Sequence, residues 1–152
     1  MTDNNASLNF QRIDHIGIAV SSIEAQRDYY ERILGMRFEG LEALPEHGLR
    51  AAFFTPRHGT HGVRIELLEP IVDDSVIARY LERRGPGLHH IAYAVRDLDK
   101  ELAALKEKGI RLIDEIPRPG THGRRIAFLH PASTFGVLTE FCEDQCESPP
   151  AR

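Results

Sequence analysis

Asp14-His15-Ile16-Gly17-Ile18-Ala19-Val20 returns 75 positions later as His89-His90-Ile91-Ala92-Tyr93-Ala94-Val95. Arg64-Ile65-Glu66-Leu67-Leu68-Glu69 returns in the same way as Leu138-Thr139-Glu140-Phe141-Cys142-Glu143, 74 positions on. His15 matches His90, and Glu66 matches Glu140. The chain therefore reads as two copies of one module, related by a pseudo-twofold axis with a single site on it. Two imidazoles and two carboxylates are a donor set that suits a divalent cation.

Alternation assigns the faces of these stretches. His15, Gly17 and Ala19 share one face and Ile16, Ile18 and Val20 the other; His90, Ala92 and Ala94 oppose Ile91, Tyr93 and Val95 in the second copy. The bulky face is expected to pack under helices, while small neighbours leave a hollow beside each imidazole. Glu66 and Glu140 stand in mid-strand among apolar residues, where an ionised carboxylate is costly unless paired or bound to metal. A lone strand histidine is usually surface-exposed or satisfied by a hydrogen bond. Two of them, each with a repeat-related glutamate, favour a metal.

Outward from these stretches, each module reads as βαβββ. Ser21 with Glu24 forms a capping box for a helix over Ile23–Leu34, which Gly35 ends. Strands are expected at Met36–Leu44, Leu49–Thr55 and Val63–Leu68. In the second copy, Asp97 caps a helix to Lys108 and Gly109 ends it. Strands follow near Ile110–Ile113, Arg125–Leu129 and Gly136–Cys142. Asp73-Asp74-Ser75 starts a connector helix with Val76, Ile77, Tyr80 and Leu81 as its apolar stripe. This predicts one domain over 10–143, built of modules 12–70 and 87–143 with a connector at 71–86, and a flexible tail at 144–152. The fold class is α+β: two βαβββ modules forming a curved, mostly antiparallel sheet around a central metal cleft.

Composition removes several function classes. A net charge of -4 gives no reason to expect nucleic acid or an anionic membrane as partner. No apolar run approaches the roughly 20 residues that span a bilayer. Met1–Asn9 is polar and is not read as a signal peptide. Cys142 and Cys146 form neither a disulfide framework nor a zinc knuckle, and two reduced thiols suit a cytoplasmic protein. No Gly-rich phosphate loop opens a helix, and no Ser-His-Asp or Cys-His signature is present. His89 points away from His90 and is assigned a structural or supporting place. Glu69 and Glu143 are expected to be solvated rim residues. His58 and His61, and the Thr121-His122-Gly123 loop of the second half, are loops first and candidate substrate contacts second.

With these residues in place, the chain resembles the vicinal oxygen chelate superfamily (glyoxalase- and dioxygenase-like) and, within it, the methylmalonyl-CoA epimerases. The narrower likeness rests on Leu44-Pro45-Glu46-His47-Gly48, Ile65-Glu66-Leu67-Leu68-Glu69-Pro70, Gly87-Leu88-His89-His90-Ile91-Ala92, Thr121-His122-Gly123 and Phe128-Leu129-His130-Pro131. It runs from about Ile13 to Glu143. The resemblance implies a divalent metal, such as cobalt, manganese, nickel or zinc, held by His15, Glu66, His90 and Glu140. It also implies a homodimer, an acyl-CoA substrate epimerised at C2, and Glu66 and Glu140 as the bases on the two faces. His122, Gly123, Arg124 and Arg125 are candidate substrate contacts. Some epimerases of this family carry Gln at the position of Glu66 and a separate catalytic Glu where this chain has Ala51. The four-ligand set is thus also similar to that of glyoxalase I, so a lyase on the same scaffold is one alternative. A metal-free small-ligand-binding module is another, and a ring-cleaving dioxygenase fits less well because it uses two His and one carboxylate.

Overall fold

The computed structural model describes residues 7–58 and 62–144. His61, Cys146 and the tail from residue 145 onward lie outside the described residues. Residues 14–91 form one compact unit, and the described residues before 14 and after 91 form another, so the boundaries fall inside the two histidine-bearing strands.

In the first unit, β1 (Phe10–Ala19) contributes its C-terminal half, followed by α1 (Ile23–Asp28), β2 (Arg37–Leu44), β3 (Leu49–Thr55), β4 (Arg64–Pro70) and α2 (Val76–Arg84). The strand order is β2-β3-β4-β1. β2, β3 and β4 run antiparallel, while β1 pairs with β4 in parallel. Pro45, Glu46 and His47 make one 3₁₀ turn between β2 and β3, closed by Gly48 at φ +65. A side chain there would collide with Val72, its Cβ lying 2.4 Å from Cγ2. Ile18, on the bulky face of β1, packs against Val20, Ile23, Tyr30, Met36, Ala52, Phe54 and Leu67. That is the layer under α1 which alternation predicts.

The first helix differs from its sequence reading at both ends. Ser22, not Ser21, is the cap, its Oγ accepting from the Ala25 N–H at 3.2 Å. From Tyr29 to Ile33 the α-helix becomes a π-helical turn, with the Leu34 N–H bonding to the Tyr29 carbonyl at 2.9 Å. Gly35, at φ +67, ends it as expected. α2 is capped by Ser75, which accepts from the Ala78 N–H at 3.1 Å. Ile77 is its buried anchor, with Tyr80 and Leu81 beside it; Val76 is exposed, so the stripe is narrower than read.

In the second unit, the end of β5 (Gly87–Val95) leads to α3 (Leu98–Glu107), β6 (Arg118–Pro119), β7 (Arg125–Leu129) and β8 (Thr139–Glu143), in the strand order β5-β8-β7-β6. Asp97 caps α3, accepting from the Lys100 N–H at 3.0 Å. Val95, Leu98, Leu102, Leu105, Ala127, Leu129 and Phe141 form its core. No strand forms at Ile110–Ile113. The N–H groups of Ile113 and Asp114 share the Phe128 carbonyl, and the Asp114 carboxylate takes the Phe128 N–H at 2.8 Å. A side chain thus replaces a ladder rung, and only the Leu112–Leu129 bridge remains. Pro119, without an N–H, keeps β6 to two residues at an edge. The segment Gly136–Leu138 likewise stays outside β8.

Glu69 and Glu143 are half-buried helix anchors rather than solvated rim residues. Glu69 accepts from the Ile23 N–H at 2.9 Å and from Arg50 at 2.8 Å. Glu143 accepts from the Leu98 N–H at 3.1 Å and from Arg125. Each carboxylate sits at the N-terminus of its module's helix, where N–H groups lack partners and the helix dipole favours negative charge. The fold is α+β, with eight strands and three α-helices among the described residues. None of these helices is long and apolar enough to cross a membrane.

Candidate metal centre

His15, Glu66 and His90 converge in the first unit. His15 Nε2 lies 3.2 Å from His90 Nε2, and Glu66 Oε2 lies 3.3 Å from the first and 3.4 Å from the second. All three residues are buried, at 3–4% exposure. Backbone register brings them together. The β1–β4 pairing sets Gly17 opposite Glu66, and His15 shares the Gly17 face two residues away. The hollow expected beside His15 is filled by the other imidazole: a Cβ on Gly17 would lie 2.2 Å from His90 Cε1. Glycine at 17 is therefore a condition for His90 to occupy the site.

Each ring is held from behind. Asp14 Oδ2 accepts from His15 Nδ1 at 2.8 Å, which turns Nε2 toward His90 and Glu66. Asp14 is itself paired with the Arg64 guanidinium, which lies 4.5 Å over the Phe53 ring. Phe53 meets the His15 ring edge-on at 5.3 Å. His90 has a different neighbour, His89, the two Nδ1 atoms being 3.0 Å apart. His89 packs edge-on against Tyr80, whose hydroxyl donates to the Leu88 carbonyl. His89 takes the supporting place read for it but reaches back to His90 rather than pointing away, and Asp14, absent from the sequence candidates, reaches His15 in the same way. Its signal was a carboxylate next to the first histidine that alternation put on the wrong face.

Charge at the cluster follows from burial and from these partners. Burial pushes the His90 imidazole down to about 3; Glu66 opposes this, and His15 and His89 add to it, so His90 is neutral. His89 is lowered by burial too, against the pull of Glu66. For Glu66, burial alone would favour the protonated acid. His15, His90 and Arg64 outweigh it, and the carboxyl sits below its ordinary range. Two imidazoles and an ionised carboxylate thus face one another among buried side chains. Donors each about 2.1 Å from a shared cation would be separated by roughly 3.0–3.4 Å for bond angles between octahedral and tetrahedral. The observed spacings lie in that range. At these spacings the three side chains could share one cation.

Glu140, His122, Gly123, Arg124 and Arg125 belong to the second unit. Glu140 is buried on β8, opposite Phe128 across the β7–β8 ladder. His122 and Gly123 lie exposed in a 3₁₀ turn, with His122 at φ 57. Arg124 donates to the Glu143 carbonyl at 3.1 Å and pairs with Asp144 at 3.2 Å. Arg125 pairs with Asp99 at 2.7 Å and Glu143 at 3.1 Å. His130 belongs to a turn rather than to the site, its Nδ1 accepting from the Ala132 N–H at 3.1 Å. Ala51 is buried at 1% exposure with Ala19, Leu44, Leu49, Leu68 and Ile77.

Residues 14–128 match the family described as the glyoxalase/bleomycin resistance protein/dioxygenase superfamily. The chain belongs to that superfamily. Uncharacterized protein YqjC of Bacillus subtilis is 45% identical over 132 residues, covering 87% of this chain and 91% of the relative. The mitochondrial methylmalonyl-CoA epimerase of Bos taurus is 35% identical over 133 residues, covering 87% and 74%. A solved methylmalonyl-CoA epimerase in complex with methylmalonyl-CoA and NH4+ superposes with a TM-score of 0.85 at 36% identity, over 91% of this chain and 97% of that one. The protein is thus a vicinal oxygen chelate protein related to methylmalonyl-CoA epimerases.

Proposed function

We propose that the protein is a metal-dependent acyl-CoA epimerase that interconverts (2R)- and (2S)-methylmalonyl-CoA by proton transfer at C2 through an enolate. The observation that carries this reading is the convergence of His15, Glu66 and His90 in a chain related over nearly nine-tenths of its length to epimerases. Glu140, the buried repeat partner of Glu66, is assigned as the fourth ligand. When bound, a divalent cation (cobalt, manganese, nickel or zinc) would supply positive charge where the enolate develops negative charge.

The chain's own groups then divide the work. Glu66, ionised and buried, accepts the C2 proton from one face, and Glu140 returns a proton on the other, each recharged in the reverse direction. Ala51 offers a methyl group where some family members carry their second base, so the two bases are drawn from the ligand carboxylates. His122, Gly123, Arg124 and Arg125 are assigned to the acyl-CoA, the arginines as partners for carboxylate or phosphate. The assignment carries with it a cytoplasmic homodimer with no nucleic-acid or membrane partner.

Proton NMR of one methylmalonyl-CoA enantiomer in heavy water tests the reading. Metal-loaded protein should wash out the C2 proton and form the other epimer, and chelator-treated protein should not. Glu66→Gln and Glu140→Gln should each abolish epimerisation, and retained turnover in the double variant would sink their roles. Ala51 together with Glu66 favours one second reading, a glyoxalase I-like lyase whose ligand glutamates move protons. Turnover of a glutathione hemithioacetal without acyl-CoA exchange would select it.

A further inference from the structure

The two histidines of the cluster are not equivalent, and the difference is written into the chain. At the repeat position of Asp14 stands His89, and at that of Arg64 stands Leu138. His15 therefore has a carboxylate behind it while His90 has a neutral imidazole. Asp14 is almost fully buried, its side chain 2% exposed. A carboxylate so placed is costly unless held. His15 Nδ1, at 2.8 Å, and the Arg64 guanidinium hold it. Strand register supplies the second, because Arg64 lies directly opposite His15 in the parallel β1–β4 pairing. Arg64 is fixed in turn over Phe53, whose edge closes the side of the His15 ring.

We propose that Asp14, braced by Arg64, is a positioning residue that makes His15 the stronger of the two imidazole donors. This rests on the metal reading above. A carboxylate accepting the Nδ1 proton fixes the tautomer, orients the ring and increases electron density at Nε2. His89 can fix the orientation of His90 but brings no charge. The expectation is a centre whose metal is anchored on the His15 side and more loosely held on the His90 side.

The test uses the full chain with Co2+ as probe, its affinity read by competition with a chromophoric chelator. Asp14→Asn is expected to weaken Co2+ binding by about tenfold or more, within the range known for lost outer-shell partners. His89→Asn should weaken it less than threefold. Arg64→Met, which keeps both imidazoles and the carboxylate, should weaken it by threefold or more, and it serves where Asp14→Asn fails to fold. Histidine ¹⁵N spectra of metal-free wild type should show His15 protonated at Nδ1. Affinity within twofold of wild type in both the Asp14 and Arg64 variants overturns the inference. So does a His15 proton on Nε2, or a His89 variant weaker than the Asp14 variant. Wild-type protein that takes up no stoichiometric Co2+ removes the metal reading itself, and the inference with it.

Discussion

The helix ends of the two modules are nearly interchangeable, whereas the histidine strands are not. In each module, a side chain caps the helix, a glycine of positive φ ends it and a distant glutamate accepts from its first N–H. Behind the histidines the copies share nothing: Asp14 with Arg64 on one side, His89 with Tyr80 on the other. The contacts that anchor the helices are alike in the two modules, and the contacts behind the histidines differ. A scaffold needs the same physics at both ends, while the two imidazoles are held by different neighbours.

The sharpest way to break this comparison is at Gly17, whose repeat partner is Ala92. Gly17→Ala would drive a methyl group into the His90 ring and should reduce Co2+ affinity at least tenfold, in line with the roughly 1–3 kcal/mol of overpacking strain. Ala92→Gly opens space at a buried strand position and should cost about 0.5–1 kcal/mol of stability, with little change in affinity. Equal effects of the two changes would mean that the halves are more alike than the geometry shows.

The pH dependence of the chelator-treated protein probes the His90 side. In the fold His90 is held near 3, against 6.5 when exposed, so the unfolded chain binds the extra proton. Its contribution to stability is complete above 6.5 and is lost as pH falls toward 3. Glu66, held below its ordinary 4.5, acts in the same direction at the acid end of that window. The melting temperature should therefore fall between pH 7.5 and pH 5, and His90→Asn should flatten the slope. An unchanged melting temperature in wild type would contradict the buried neutral imidazole.

Smaller effects test the shared half of the comparison. Glu69→Gln and Glu143→Gln should each lower stability by about 1 kcal/mol, as expected for a charged group at a helix N-terminus. Matching shifts in melting temperature would support equivalent anchors, and a silent Glu143→Gln would break the equivalence. Least of all, Arg125→Ala should leave the melting temperature nearly unchanged, since Arg125 and its partner Asp99 are exposed; a raised KM for acyl-CoA would mark it as a substrate contact.

Much of this was legible in the residues. The repeat of His15 with His90 exposed the strand pair, and Ile18 against Val20 and Ile23 gave the packed face. What escaped were interactions in which a side chain substitutes for backbone. Asp114 takes a rung from the strand expected at Ile110–Ile113, and Asp14 turns across its own strand to reach His15. Periodicity describes where a side chain starts, not where its oxygen ends. Glu69 and Glu143 were misread for a related reason: their partners are N–H groups 46 and 45 residues away, which no local pattern contains.

The π-helical turn at Tyr29–Ile33 explains a small arithmetic oddity. Positions before it, such as His15 and Ser22, recur after 75 residues; positions after it, such as Gly35, Glu66 and Glu69, recur after 74. The first module therefore holds one residue more than the second between its cap and its terminating glycine, and the wider turn is where that residue resides. An extra residue within β1 or β4 would have turned over the later side chains of that strand. Swallowed by a helix, it left the histidine before it and the glutamate after it in phase. The turn accommodates the extra residue without disturbing the centre, and deleting one residue within Tyr29–Ile33 should restore a regular helix with His15 and Glu66 still in place.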